Sequence, residues 1–244
     1  MQDPSGARHS AEPHVLISLE GLSGSGKTTQ GRLLRQSLST HGYQVAYLPD
    51  LATLGTDELG DALFDLFSSS GDPFMRHRDV VTDSFLAAAI RANIIATRIH
   101  PASCDHDIVI EDRGAHTMLS YSLASLMRYH DMALDEGIGW LRGLVEMAGG
   151  QADVAVWLRP SIEVAIDRWA QREGTRPSPE QSTFLTSVDA AYGELERRDP
   201  RLVSVEVGDD TPEVVHDRLY AALVPFLPAL PSTVDAHREE SSCP

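Results

Sequence analysis

Residues 21–28 read Gly-Leu-Ser-Gly-Ser-Gly-Lys-Thr, which satisfies G-x-x-x-x-G-K-[ST] at every constrained position. The chemistry of that spacing is phosphate binding. Gly21, Gly24 and Gly26 allow left-handed turns and a close backbone approach that β-carbons would block. The amides of Leu22, Ser23, Ser25, Lys27, Thr28 and Thr29 can then face phosphate oxygens, helped by the positive end of the helix after the loop. On this pattern the Lys27 ammonium reaches the β- and γ-phosphates, and the Thr28 hydroxyl holds Mg²⁺. Lys27 is also the only lysine in the chain, the other 19 of its 20 fixed cations being arginine. The motif specifies a bound nucleoside triphosphate and leaves the fate of its terminal phosphate open.

Three further groups favour transfer to a small acceptor. Val109-Ile110-Glu111-Asp112-Arg113 is an apolar strand ending acid-acid-arginine, and ligands of open α/β sheets sit at such strand ends. Asp112 would orient Mg²⁺ or its water, and Arg113 would bind a phosphate. Arg168, Arg172 and Arg176 are spaced i, i+4 and i+8, so a helix would put them on one face. They run into Gly174 and Pro177, and the stretch over about 171–182 reads as a mobile lid that neutralises the transferring phosphate. Arg91 stands alone in the apolar run 85–96 and requires an anionic partner, either a protein carboxylate or a ligand phosphate.

These residues need a scaffold. Apolar patterning predicts strands over 14–19, 44–48, 107–111, 152–158 and 202–207. It predicts helices over 27–40, 57–68, 79–100, 117–129, 139–148, 161–172, 183–198 and 211–226. The alternation implies an α/β fold of the P-loop NTPase kind, with a five-stranded, mostly parallel sheet, helices on both faces and a lid. One domain over 14–228 is expected between loose tails at 1–13 and 229–244.

The 244 residues carry a formal charge of -16. That balance argues against nucleic-acid polymers and anionic membranes as partners, because phosphate neutralisation supplies most non-specific affinity for them. Cys104 and Cys243 define no disulfide framework, and no histidine spacing points to a transition metal. The longest apolar run is broken by Arg91. A cytoplasmic setting is the expectation.

Together these segments resemble the thymidylate kinase family. Leu19-Glu20-Gly21 through Lys27-Thr28-Thr29-Gln30 is similar to that family's P-loop opening, and Glu111-Asp112-Arg113 with Tyr121 looks like its aspartate-arginine-tyrosine segment. Residues 157–165 and 183–207 resemble the elements flanking its lid. The resemblance implies a kinase using ATP and Mg²⁺ on a small nucleoside or nucleotide acceptor, with a nucleoside monophosphate as the default. It implies that Arg91 and Arg113 bind the acceptor's phosphate, that Tyr121 lines the same pocket, and that Arg168, Arg172 or Arg176 serves the lid. It also implies a homodimer through helices, for which the sequence defines no interface. Ser23, Ala87, Gly114 and the turn Pro49-Asp50-Leu51 depart from the pattern, all in the acceptor half. Two other readings stay open: a hydroxyl acceptor, with Asp50 at the end of the second strand as general base, and a non-catalytic nucleotide-binding module.

Overall fold

The computed structural model describes residues 14–50, 57–69, 71, 72, 74 and 79–229, so the expected tails lie outside it except for residue 229. Five strands, β1 (Val15–Glu20), β2 (Val45–Leu48), β3 (Ile108–Asp112), β4 (Val154–Arg159) and β5 (Leu202–Glu206), form one sheet in the order β2-β3-β1-β4-β5. Every pairing is parallel. The order reverses at β1, whose carboxyl end therefore opens onto the crevice where ligands bind in such sheets.

Helices cover both faces. On one side α1 (Lys27–Thr40) and α9 (Pro212–Leu223) pack Leu34, Leu38, Val215 and Leu219 over Ile17, Leu19, Ile110 and Val156. The other face is covered by α3 (Val80–Ile94), α5 (Ala115–Tyr129), α6 (Leu134–Met147), α7 (Ile162–Glu173) and α8 (Pro179–Glu196). The short α2 (Glu58–Ser68) lies against α3. A π-helical turn, Ile95–Ile99, carries α3 into α4 (His100–Asp105).

The period of two along β1 sorts its side chains between the two faces of the sheet. Ile17 and Leu19 enter the α1 core, so Ser18 and Glu20 must point to the α5 side, where both are fully buried. Glu20 meets the start of α5 there. Its carboxylate accepts from the amides of Gly114 and His116, each at 3.2 Å, from Thr117 Oγ1 at 2.5 Å and from Ser18 Oγ at 2.6 Å. A negative charge at a helix N-terminus satisfies amides that have no partner inside the helix. This distant cap starts α5 at Ala115, two residues before the expected 117.

Other differences lie at the ends of strands and helices, and the single helix expected over 79–100 is instead α3, the π-helical turn and α4. Acidic Asp135 and Glu136 fill the first turn of α6, which begins at Leu134 rather than 139. Ser178 and Gln181 form a reciprocal capping box, so α8 begins at Pro179 within the interval read as lid.

Gly114 is held to its type by this packing. A β-carbon there would stand 2.3 Å from both Glu111 Oε1 and Ser18 Oγ. Gly114→Ala should lower unfolding stability by about 1–3 kcal/mol through overpacking. The measurement is a shift in urea midpoint at unchanged slope; an unmoved midpoint would show that the two side chains yield freely.

Candidate active site

The loop between β1 and α1 is wedged against its surroundings at two glycines. A β-carbon on Gly21 (φ +128°) would meet the Leu158 carbonyl at 2.6 Å, and one on Gly24 (φ +88°) would meet the Ala165 carbonyl at 2.5 Å. The loop is thereby fixed between the end of β4 and the first turn of α7. Lys27, the first residue of α1, is 6% exposed and folds back over the loop. Its Nζ donates to the carbonyls of Gly21 at 3.0 Å and Leu22 at 2.9 Å, and to Ser25 Oγ at 3.4 Å. Burial, and then the neighbouring Arg113, lower its pKa to about 7.

Thr28 faces the end of β3. Its hydroxyl donates to Asp112 Oδ2 at 2.7 Å, and Tyr47 Oη donates to the same oxygen at 3.2 Å. The other oxygen, Asp112 Oδ1, is buried and has no hydrogen-bond partner among the described residues. A hydroxyl beside a carboxylate with an unused oxygen suits a hard divalent cation whose remaining ligands are phosphates and water. Burial, reinforced by Asp112, raises the Tyr47 phenol, so Tyr47 remains a donor.

Arg113 adopts a left-handed backbone (φ 75°), which costs free energy in any residue with a β-carbon. Its guanidinium reaches the phosphate loop. Nε donates to Asp50 Oδ2 at 2.7 Å, Nη2 to Ser23 Oγ at 2.9 Å, and Nη1 to the Gly21 carbonyl at 3.4 Å. The Tyr121 hydroxyl interacts with Arg113 and with the Ser23 backbone; burial raises its pKa against the pull of that cation. Ser23, Asp50, Arg113 and Tyr121 therefore form one cluster beside the phosphate loop.

Arg91 has the protein-carboxylate partner that its position in an apolar run left open. Both Nη1 and Nη2 engage Glu111, in a pair whose side chains are 4% and 3% exposed. Burial raises the Glu111 pKa while Arg91 opposes the rise. Arg91 Nε is buried without a partner among the described residues. Sequence reasoning passed over Arg98, on the π-helical turn, whose Nη2 lies 3.4 Å from the Pro49 carbonyl at the end of β2.

The arginine row divides. Arg168 and Arg172 lie in α7, but Gly174 (φ 72°) ends that helix, so Arg176 lies beyond it. The stem of Arg168 is close to Gly24, its Cβ 3.3 Å from where a glycine β-carbon would stand. Arg172 pairs with Glu173 at 2.8 Å and Arg176 with Asp167 at 2.7 Å, all on exposed surface.

A family model described as thymidylate kinase matches residues 19–219. The chain belongs to the thymidylate kinase family. Among curated relatives, the thymidylate kinase of Thermomicrobium roseum is 32% identical over 211 residues, which span 85% of this chain and 93% of that one. The thymidylate kinase of Symbiobacterium thermophilum is 31% identical over 196 residues, 78% of this chain and 84% of the relative. The thymidylate kinase structure from Candida albicans shares the fold, with a TM-score of 0.64 at 19% identity over 87% of this chain and 92% of the other. Membership makes this protein an ATP-dependent phosphotransferase acting on a nucleoside monophosphate.

The depressed Lys27 pKa gives the donor site a pH signature. A polyphosphate beside the ammonium restores its charge, so nucleotide binding above pH 7 must take up a proton. At pH 8, calorimetry in buffers of different ionisation enthalpy should show ATP binding with uptake approaching one proton, falling off towards pH 6. Lys27→Ala should abolish the uptake; persistence in that variant would assign it to another group.

Proposed function

We propose that this protein transfers the γ-phosphate of ATP to thymidylate, with Mg²⁺ held by Thr28 and Asp112. The observation that carries this reading is the 2.7 Å contact of Thr28 Oγ1 with Asp112 Oδ2. It joins the donor loop to the Asp112-Arg113 turn, so donor phosphates and acceptor phosphate meet at one point. When bound, Mg²⁺ supplies positive charge to the oxygens between which the phosphoryl group moves.

The chain's own residues do the rest. Lys27 exchanges the Leu22 carbonyl and the Ser25 hydroxyl for phosphate oxygens while its Gly21 contact stays, and Arg113 exchanges Asp50 for the acceptor's phosphate. That phosphate oxygen is already ionised and attacks without a base. Arg168, placed against Gly24, faces the donor side; Arg172 and Arg176 sit in weak exposed pairs from which they can be drawn over the nucleotide. The connection between α7 and α8, within residues 171–182, acts as the lid. A hydroxyl acceptor would need Asp50 as base; one oxygen of that carboxylate, Oδ2, accepts from Arg113 Nε at 2.7 Å.

With ATP and Mg²⁺, thymidylate should be phosphorylated faster than other monophosphates, nucleosides or antibiotics in a direct comparison. Lys27→Ala should lower turnover by at least roughly 10²–10³-fold, as the loss of a charge clamp does. Asp50→Asn should change turnover by no more than a few fold. A loss of roughly 10²–10⁴ in Asp50→Asn, the range for a missing general base, would move the assignment to a hydroxyl acceptor. Arg91→Ala is a poor discriminator, since it would leave the Glu111 charge buried alone.

The protein is further read as a cytoplasmic homodimer joined through α2, α3 and α6. Leu59, Leu66, Phe85 and Met147 on these helices are exposed, and Phe85 packs edge-on against Trp140 at 5.7 Å. The run Val80–Asp105 is long and apolar enough to cross a membrane by length and composition, yet it holds the buried Arg91 against the sheet. Sedimentation should show a dimer, and Phe85→Asp should dissociate it; a monomer at micromolar concentration in the wild type would sink the dimer.

A further inference from the structure

Three hydrogen bonds converge on Gly21. Its carbonyl accepts from Lys27 Nζ at 3.0 Å and Arg113 Nη1 at 3.4 Å, so it orients the two cations that serve donor and acceptor. Its amide donates to Tyr192 Oη at 3.1 Å, a residue 171 positions away on α8. Tyr192 is fully buried, and its ring stacks on Trp157 of β4 with centroids 5.2 Å apart.

The phenol continues into a chain whose direction is fixed by counting protons. Tyr192 Oη lies 2.9 Å from Thr117 Oγ1, and Thr117 donates to Glu20 Oε2 at 2.5 Å. A hydroxyl has one proton to give. Thr117 gives its proton to the carboxylate, so Tyr192 must donate to Thr117 and accept from Gly21. The chain thus runs from the Gly21 amide through two hydroxyls to a buried negative charge. Ending on an anion strengthens each link, and each bond polarises the next.

We propose that Tyr192 is a positioning residue for phosphoryl transfer, holding Gly21 so that its carbonyl sets Lys27 and Arg113 in place. The proposal rests on residues 21–28 being the ATP-binding loop. Tyr192 is fully buried behind the loop and acts through the glycine. Its helix is the one that begins at Pro179, directly after the connection bearing Arg176, so a shift of α8 on lid closure is transmitted to the phosphate loop through this hydroxyl. Burial, and then Glu20, raise the phenol well above its ordinary value, which keeps it a neutral donor.

The test uses ATP affinity by titration calorimetry, which needs no acceptor, together with kcat for the best acceptor. Tyr192→Phe keeps the stack on Trp157 and removes only the hydroxyl. It should weaken ATP binding about tenfold and lower kcat about 10- to 100-fold, at temperatures where circular dichroism is native. Thr117→Val breaks the same chain one link later and should act in the same direction. The double variant should be no worse than Tyr192→Phe by more than about twofold, and Thr117→Ser should recover most of the loss. ATP affinity and kcat within twofold of wild type in Tyr192→Phe, with only the melting temperature lowered, would make Tyr192 structural and overturn the proposal. So would effects of the two single variants that multiply. Should Tyr192→Phe fail to fold, Thr117→Val decides alone, unchanged affinity and kcat counting against the proposal. A wild type that binds ATP but does not phosphorylate thymidylate would refute the acceptor and leave this inference standing. One that binds no ATP would refute both.

Discussion

The architecture of the site turns on one buried charge. Glu20 closes the central strand fully buried, where a carboxylate is tolerable only with a full set of donors. Those donors are Ser18 on its own strand and Gly114, His116 and Thr117 at the start of α5. Meeting them fixes where α5 starts, and therefore how the Asp112-Arg113 turn leaves β3. The left-handed backbone of Arg113 is the local cost of that path. Phosphate loop, turn and helix are consequently joined by one set of hydrogen bonds rather than lying as separate segments near each other.

A second constraint is that the cleft neutralises itself. In a chain with formal charge -16, each central arginine already has a carboxylate: Glu111 for Arg91 and Asp50 for Arg113. The same habit recurs behind α5. There burial would raise the Asp199 carboxyl, but hydrogen bonds from His116 and Arg201 outweigh it and hold Asp199 well below the usual carboxylate range. A ligand enters such a cleft by exchange, displacing a side-chain anion with a better one. Dianions do this well and neutral molecules do not, so the pairing filters by charge before any shape is read.

Much of this was legible in the sequence because its signals are local. The five strands, the order of helices and the phosphate loop come from apolar periodicity and glycine spacing within short windows. What the sequence withheld depends on residues that meet only in space. The partner of Arg91 is 20 residues away, the cap of α5 is 94 to 97 away, and the hydroxyl on the Gly21 amide is 171 away. No periodicity encodes such separations. The row Arg168, Arg172 and Arg176 shows the opposite error, a regular spacing that a single glycine interrupts. Gly114 shows how a departure from a family pattern can be compensated, since Glu111 and Ser18 fill the space that a larger residue would need.

The solitary lysine has a practical side. Lys27 is the chain's one side-chain amine, and burial shifts it towards the free-base form that acylating and aldehyde reagents attack. Reagents chosen as general lysine labels become, on this protein, reporters of whether the donor site is filled. Crosslinking or surface coupling through side-chain amines has only this 6% exposed group to use, so attachment chemistry for this protein belongs on other groups.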